Sequence, residues 1–254
     1  MASTIYSNFT SLVAQRNLAA TQSSLSTSMA RLSSGLRVNS AKDDAAGLSI
    51  AERMTSQVRG MNVAVRNAND GISLAQIAES ALGKTSDILQ RMRELAVQST
   101  NGSYSTIDRT SLDNEFGELA KEIQRVYAST AFNSRAILAG AAGAQEFQVG
   151  ANTTADSQIT ITTTDMTAAA GITAVTGTTT AATGRAVITG AAAATRTVID
   201  DIDTAINFVS SERSVLGASQ SRFEVAISFL QISSENQSAS RSRIMDADFA
   251  QETA

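Results

Sequence analysis

Proline, cysteine, histidine and tryptophan are all missing from the 254 residues, and only 4% of them are aromatic. Without proline, nothing obliges a helix to kink or stop, so long uninterrupted helices are open to this chain. Without cysteine there are no disulfides and no thiolate metal sites, which says nothing of compartment because secreted proteins need not carry cystines. Without histidine or cysteine, a metal has only oxygen ligands to use, and most acid–base or nucleophilic schemes lose their usual residue. A Gly-rich phosphate loop and a convincing carboxylate pair are lacking too, so no enzyme and no cofactor is expected. The net charge of −4 gives no general attraction to nucleic acid. No apolar run is long enough for a signal-peptide core or a membrane span. Apolar residues make up 43%, but much of that is alanine, which suits close helix packing and gives little for a thick globular core.

What is present is heptads. Met54, Met61, Ala68, Ala75, Leu82, Leu89 and Ala96 recur every seven residues, with Ala51, Val58, Val65 and Ile72 as companions. That is the alternating three-and-four spacing of a helix seam. Further on the companions become Leu74, Ala81, Ile88 and Leu95, so the stripe drifts, as it does when a nearly straight helix meets more than one neighbour. Gly60 and Gly71 lie inside, each costing on the order of 1 kcal/mol of helix propensity, and close backbone approach by a partner would explain them. Before this helix, Ser40 and Asp43 resemble a capping box, and Asp43-Asp44 place negative charge at the new N-terminus.

The first 42 residues contain no acid, but they carry Arg16, Arg31, Arg37 and Lys42. Leu18, Leu25 and Leu32 repeat at seven, with Met29 and Leu36 beside them and Ile5, Phe9 and Leu12 extending the face, which predicts an amphipathic helix ending at Ser33-Ser34-Gly35. The composition superficially suits an organellar transit peptide, but the leucine register runs on smoothly towards the next helix.

Asn101-Gly102-Ser103 ends the long helix, and Ser105 with Asp108 signals another. Leu112, Phe116, Leu119, Ile123 and Val126 then alternate four and three, so two helices form a hairpin. From Glu146 the period changes: 146–150 and 158–162 alternate polar and apolar residues across a turn-rich connection and predict a β-hairpin. Residues 163–195 are Thr/Ala/Gly-rich and read as partly flexible, with Val187-Ile188 the best candidate for a short strand. Thr197, followed by Asp200, predicts the start of the last long helix, whose column is Ile202, Val209, Leu216, Phe223, Leu230, Gln237 and Ile244. The expected fold is mainly α, an elongated antiparallel coiled-coil-like helical bundle with a small β-hairpin or β-rich tip.

These residues also match a family. Residues 31–47, Arg66-Asn67-Ala68-Asn69-Asp70-Gly71-Ile72-Ser73, Arg93-Glu94-Leu95-Ala96-Val97-Gln98-Ser99 and Phe132-Asn133 resemble bacterial flagellin. So do Leu216-Gly217-Ala218 with Arg222-Phe223, Ser240-Arg241-Ser242-Arg243-Ile244 and Asp246-Ala247-Asp248-Phe249-Ala250. The motifs cover nearly everything outside 140–195. The resemblance implies a structural subunit of the flagellar filament, extracellular, exported by the flagellar type III apparatus and polymerised with other flagellin subunits for motility.

It also implies an organisation: 1–42 as N-terminal core helix and hinge, 43–140 as the first part of the bundle, 141–194 as a β-hairpin and variable tip, 195–245 as the C-terminal bundle helix, and 246–254 as the start of a C-terminal core segment. Flagellins normally continue with another core helix that pairs with the first, so a chain ending at Ala254 is expected to polymerise poorly and stay largely monomeric. Leu18, Leu25 and Leu32 are the expected core-assembly residues. Arg91, Leu95 and Glu115 occupy positions that in related flagellins contribute to subunit contacts and to recognition by the innate immune receptor TLR5. A blander account puts Leu95 in the apolar stripe and leaves the charges solvated. Asp200, Asp201 and Asp203 offer oxygens to calcium but lack EF-hand spacing, and a first helical turn explains them more simply. The alternative function is a flagellin-like surface adhesin recognising polysaccharide or a host receptor through the Thr-rich tip, which lacks aromatic stacking platforms for sugars and is also a candidate for O-linked glycans.

Overall fold

Every heptad column of the sequence folds as helix in the computed structural model, which describes residues 8–140, 142–190 and 192–253; Ile5 and Ala254 lie outside them. The order is α1 (Phe9–Ser34), α2 (Ala45–Ser99), α3 (Thr106–Ser129), β1 (Ala131–Phe132), β2 (Arg135–Ala136), β3 (Ala144–Gln148), a 3-10 turn, β4 (Gln158–Thr162), α4 (Ala170–Thr176), α5 (Ala192–Met245) and α6 (Phe249–Glu252). Two compact units result, one of 1–62 with 231–254 and the other of 63–230.

The larger unit is a bundle of α2, α3 and α5. Its core uses the predicted columns: Ala68, Ala75, Leu82, Leu89 and Ala96 from α2, Phe116 and Ile123 from α3, and Ile202, Val209, Leu216 and Phe223 from α5 are all buried. The drift of the α2 stripe is real, since Leu74 and Leu95 are buried as well. Cross-helix pairs set the direction of α5 against α2: Gly71 meets Phe223, Glu79 binds Arg213 and Arg93 binds Asp203, so the two run antiparallel.

At Gly71 a Cβ would lie 2.7 Å from Phe223 Cζ, so the glycine makes room for a ring and not, as expected from sequence, for another backbone. Phe147 of β3 stacks edge-on against the same ring at 5.7 Å between centroids. Asn67 Nδ2 donates to the Gln148 carbonyl at 3.0 Å, tying the hairpin to α2. The hairpin is antiparallel, pairing Ala144 with Thr162 and Gln148 with Gln158, and buries Ile159 and Ile161 on its inner face. Its first strand therefore lies two residues earlier than the alternation suggested, because pairing stops where Val149 N turns to the Ser157 carbonyl.

Helix starts show what sequence reading catches. α3 begins with the expected capping box, in which Ser105 N donates to Asp108 Oδ2 at 2.9 Å and Asp108 N to Ser105 Oγ at 3.3 Å. α2 does not start at the box read at Ser40 and Asp43: Asp43 receives Ser40 N and Oγ in a preceding turn, while Asp44 Oδ1 accepts from Gly47 N and holds the helix end, so the helix begins at Ala45. α5 begins at Ala192, five residues before Thr197, so Asp200, Asp201 and Asp203 are not in its first turn. The dipole account of those acids is withdrawn; Asp203 is instead held by Arg93. The Thr/Ala/Gly-rich stretch also contains α4, and Val187-Ile188 is not a strand.

In the smaller unit, α1 ends at Gly35 in left-handed conformation at φ 70°. Residues 35–38 then run against the end of α5: Arg37 N donates to the Met245 carbonyl at 2.6 Å, Ala247 N to the Gly35 carbonyl at 3.0 Å, and Arg37 Nη2 to the Ile244 carbonyl at 2.7 Å. The two chain-distant segments are thus stitched through backbone.

Gly71→Ala trades about 1 kcal/mol of helix propensity gained against roughly 1–3 kcal/mol of overpacking on Phe223. The expected result is net destabilisation in urea unfolding of about 1 kcal/mol. Gly83, whose Cβ would meet only Arg213 Nη2 at 3.9 Å, should gain up to about 1 kcal/mol as Gly83→Ala.

Candidate functional site

A helix normally buries its apolar stripe, and α1 does not. None of its residues is buried; Phe9 is 77% exposed, Leu18 63% and Leu25 62%, with Leu12 and Met29 also open and Leu32 half-buried. α6 packs near the end of α1, where Arg31 Nη1 lies 3.6 Å from Glu252 Oε1, but it is only four residues long. The rest of the leucine column is an apolar surface of the kind that marks an interaction site.

A second surface lies on the α2–α3 hairpin. Arg91 sends Nε and Nη2 to Glu115 Oε1 at 3.0 and 2.8 Å and Nη1 to Glu94 Oε2 at 2.9 Å. Both carboxylates raise the Arg91 pKa, Glu115 most of all. The pair is about half exposed on each side, so the charges are presented to solvent as a fixed, mutually satisfied cluster. Leu95 is not part of this surface: it is 1% exposed and sits in the bundle core with Leu89 and Met92. Beside the cluster, Gln90, Arg93, Glu94, Val97 and Gln98 line a shallow groove.

Sequence reading missed a third surface. Val225 and Phe229 on α5 are 70% and 68% exposed, and with Ile159, Ser221, Arg222 and Ala226 they line an open groove of about 560 Å³. The available signal was their place off the Phe223–Leu230 column, on the side of α5 that its own heptads leave outward. Among the described residues no group of three carboxylates is placed to hold a metal ion. No described helix is long and apolar enough to cross a membrane.

Comparison with known proteins places these surfaces in context. Residues 5–143 match the family model described as the bacterial flagellin N-terminal helical region, and residues 199–254 match that of the C-terminal helical region. The chain is 42% identical over 245 residues to a flagellin of Halalkalibacterium halodurans, covering 96% of this chain and 86% of that protein. It is 35% identical to flagellin E of Vibrio cholerae, over all of this chain and 91% of the other. A B-type flagellin of Pseudomonas aeruginosa is 53% identical over 152 residues, which span 60% of this chain and 31% of that longer protein. Among solved structures, the crystal structure of Bacillus cereus flagellin matches with a TM-score of 0.54 and 30% identity, covering 65% of this chain and 88% of that one.

The different burial of Arg91, Glu115 and Leu95 separates their roles energetically. Arg91→Ala or Glu115→Ala removes an exposed ion pair and should change unfolding free energy by less than about 1 kcal/mol. Leu95→Ala opens a cavity in the core and should cost about 2–5 kcal/mol. Urea titration of the three variants checks both expectations.

Proposed function

The chain belongs to the bacterial flagellin family, and from that premise we propose which of its surfaces build the filament. The protein is a structural subunit of the extracellular flagellar filament. The observation that carries the assignment of surfaces is α1, a 26-residue helix without one buried residue. In an isolated subunit that stripe costs about 25 cal/mol for each Å² of apolar area left in water, so burying it between subunits supplies a driving force for assembly. Leu18, Leu25 and Leu32 are the core-assembly residues in this reading. The groove at Val225 and Phe229 supplies a further apolar contact for a neighbouring subunit.

The Arg91–Glu115 cluster serves contact specificity. Arg91 is shared between Glu94 and Glu115, which leaves one net negative charge, so a partner meets a weakly acidic polar surface of defined geometry. The same surface suits recognition by TLR5, with Arg91 and Glu115 as contacts and Leu95 acting from beneath by fixing the path of α2. Export is through the flagellar type III apparatus, which family membership supports. The adhesin alternative has no comparable observation behind it.

The chain is tested for addition to preformed filament seeds. Leu18→Ser with Leu25→Ser should lower the amount sedimenting with seeds at least tenfold while leaving the circular dichroism unchanged; equal sedimentation removes α1 from assembly. In a TLR5 reporter assay, Arg91→Ala and Glu115→Ala should each weaken the response at unchanged stability. An undiminished response from both rejects the receptor surface.

A further inference from the structure

Residues 177–190 leave α4 and cross the α2–α3 hairpin before α5 begins, held by a set of polar bonds and by a few apolar side chains. At the entry, Gln124 Nε2 donates to the Gly177 carbonyl at 2.7 Å and to Thr176 Oγ1 at 2.8 Å. At the exit, Ser99 Oγ donates to the Ile188 carbonyl at 2.5 Å and Arg109 Nη1 to the Gly190 carbonyl at 3.2 Å. Between these stands Arg185, the only charged residue of the stretch. Its Nη1 and Nη2 grip Asp113 Oδ1 and Oδ2 at 3.0 and 2.6 Å, and the same carboxylate receives Ile188 N at 2.9 Å. The guanidinium lies 5.9 Å from the centre of the Phe116 ring. Gly117 makes the space, since a Cβ there would come within 3.0 Å of Arg185 Nε.

Apolar attachment is confined to Ala182, Ala186 and Ile188. Ile188 is fully buried and Ala182 nearly so, but Val187 is half exposed and the turn at 178–181 is open. A segment with few buried apolar contacts and one buried ion pair has a lower local opening free energy than the helices below it. Losing either partner of such a pair leaves the other charge buried and unpaired.

We infer that residues 177–190 form a strap, latched by Arg185 on Asp113, that opens as a unit while α2, α3 and α5 stay folded. Opening bares Ser99 and Asp113, frees the ring face of Phe116 and withdraws Ala182 and Ile188 from the edge of the core, while the heptad columns of α2, α3 and α5 stay packed on one another. Acid weakens the latch. Burial tends to raise the Asp113 pKa, but the bonds from Arg185 and Ile188 N outweigh it, and the carboxyl is held below its ordinary value of 3.8. The latch is thus complete above that ordinary value and is lost as pH falls through the depressed one. The charged group that meets Asp113 is Arg185 from the strap; Arg109, one turn back on α3, turns its Nη1 to the Gly190 carbonyl, and Ser99 of α2 turns its hydroxyl to the Ile188 carbonyl.

Limited trypsin digestion reads the strap directly, because Arg185–Ala186 is a cleavable bond within it. Asp113→Asn should speed cleavage there at least tenfold with helicity unchanged, and Gly117→Ala should do the same by displacing the guanidinium. An unaltered rate at that bond, or an equal rise at arginines within α2, overturns the inference. In the unsubstituted chain, the Ile188 amide should exchange with solvent at least tenfold faster than amides of the Phe116–Ile123 turns, after allowing for intrinsic rates. Its protection should fall below pH 4 in the unsubstituted chain and stay flat in Asp113→Asn. Exchange of Ile188 at the same rate as those α3 amides overturns an independent strap even where the variants fail to fold.

Discussion

The larger unit depends on the close antiparallel packing of α5 on α2, in which the Phe223 ring is seated on Gly71. An alanine-rich seam gives each helix pair little burial per residue, so stability is concentrated in the few large side chains that the small ones admit. Phe223 is the largest of these on α5, and Phe147 stacks on it from the hairpin. Register, hairpin docking and core volume therefore meet at one ring. Glu79–Arg213 and Arg93–Asp203 agree with the same register, but at 37–46% side-chain exposure they mark it more than they enforce it.

Against that well-buried unit, α1 is the exception, and the proposed assembly rests on it. The same leucine spacing that fills the bundle core is left bare along α1. The physics is the same in both places, and only the partner differs: within the bundle it is another segment of the chain, and for α1 the proposed partner is another subunit. The apolar groove at Val225 and Phe229 repeats the situation on a smaller scale.

The helices were legible because their signal is repeated. Seven consecutive members of the α2 column carry one message, so the loss of any one does not alter the reading. Single-residue signals fared unevenly. Ser105 and Asp108 made their capping box, whereas Thr197 followed by Asp200 looked like a helix start and lies inside one. The stretch before Thr197 is mostly alanine, a strong helix former that carries no apolar–polar contrast, so α5 extends back unseen by any pattern. α4 was hidden for a different reason: Gly171 and the β-branched Ile172, Thr173, Val175 and Thr176 are weak helix formers, and its placement comes from tertiary partners such as Gln124. Among the site residues, the leucines of α1 were legible as a stripe but their exposure was not, because periodicity reports a face and not what covers it.

Arg91 and Leu95 show why the last distinction matters. They stand four residues apart on α2, one turn along, and spacing alone puts them on neighbouring parts of one face. The structure turns Leu95 into the core and Arg91 onto Glu115, because α3 lies across the boundary between the two directions. The visible charges are anchored to each other, and the backbone that carries them is anchored by the leucine underneath. Loss of activity from a Leu95 substitution would thus report a displaced helix as readily as a lost contact, and only the exposed pair can report on recognition itself.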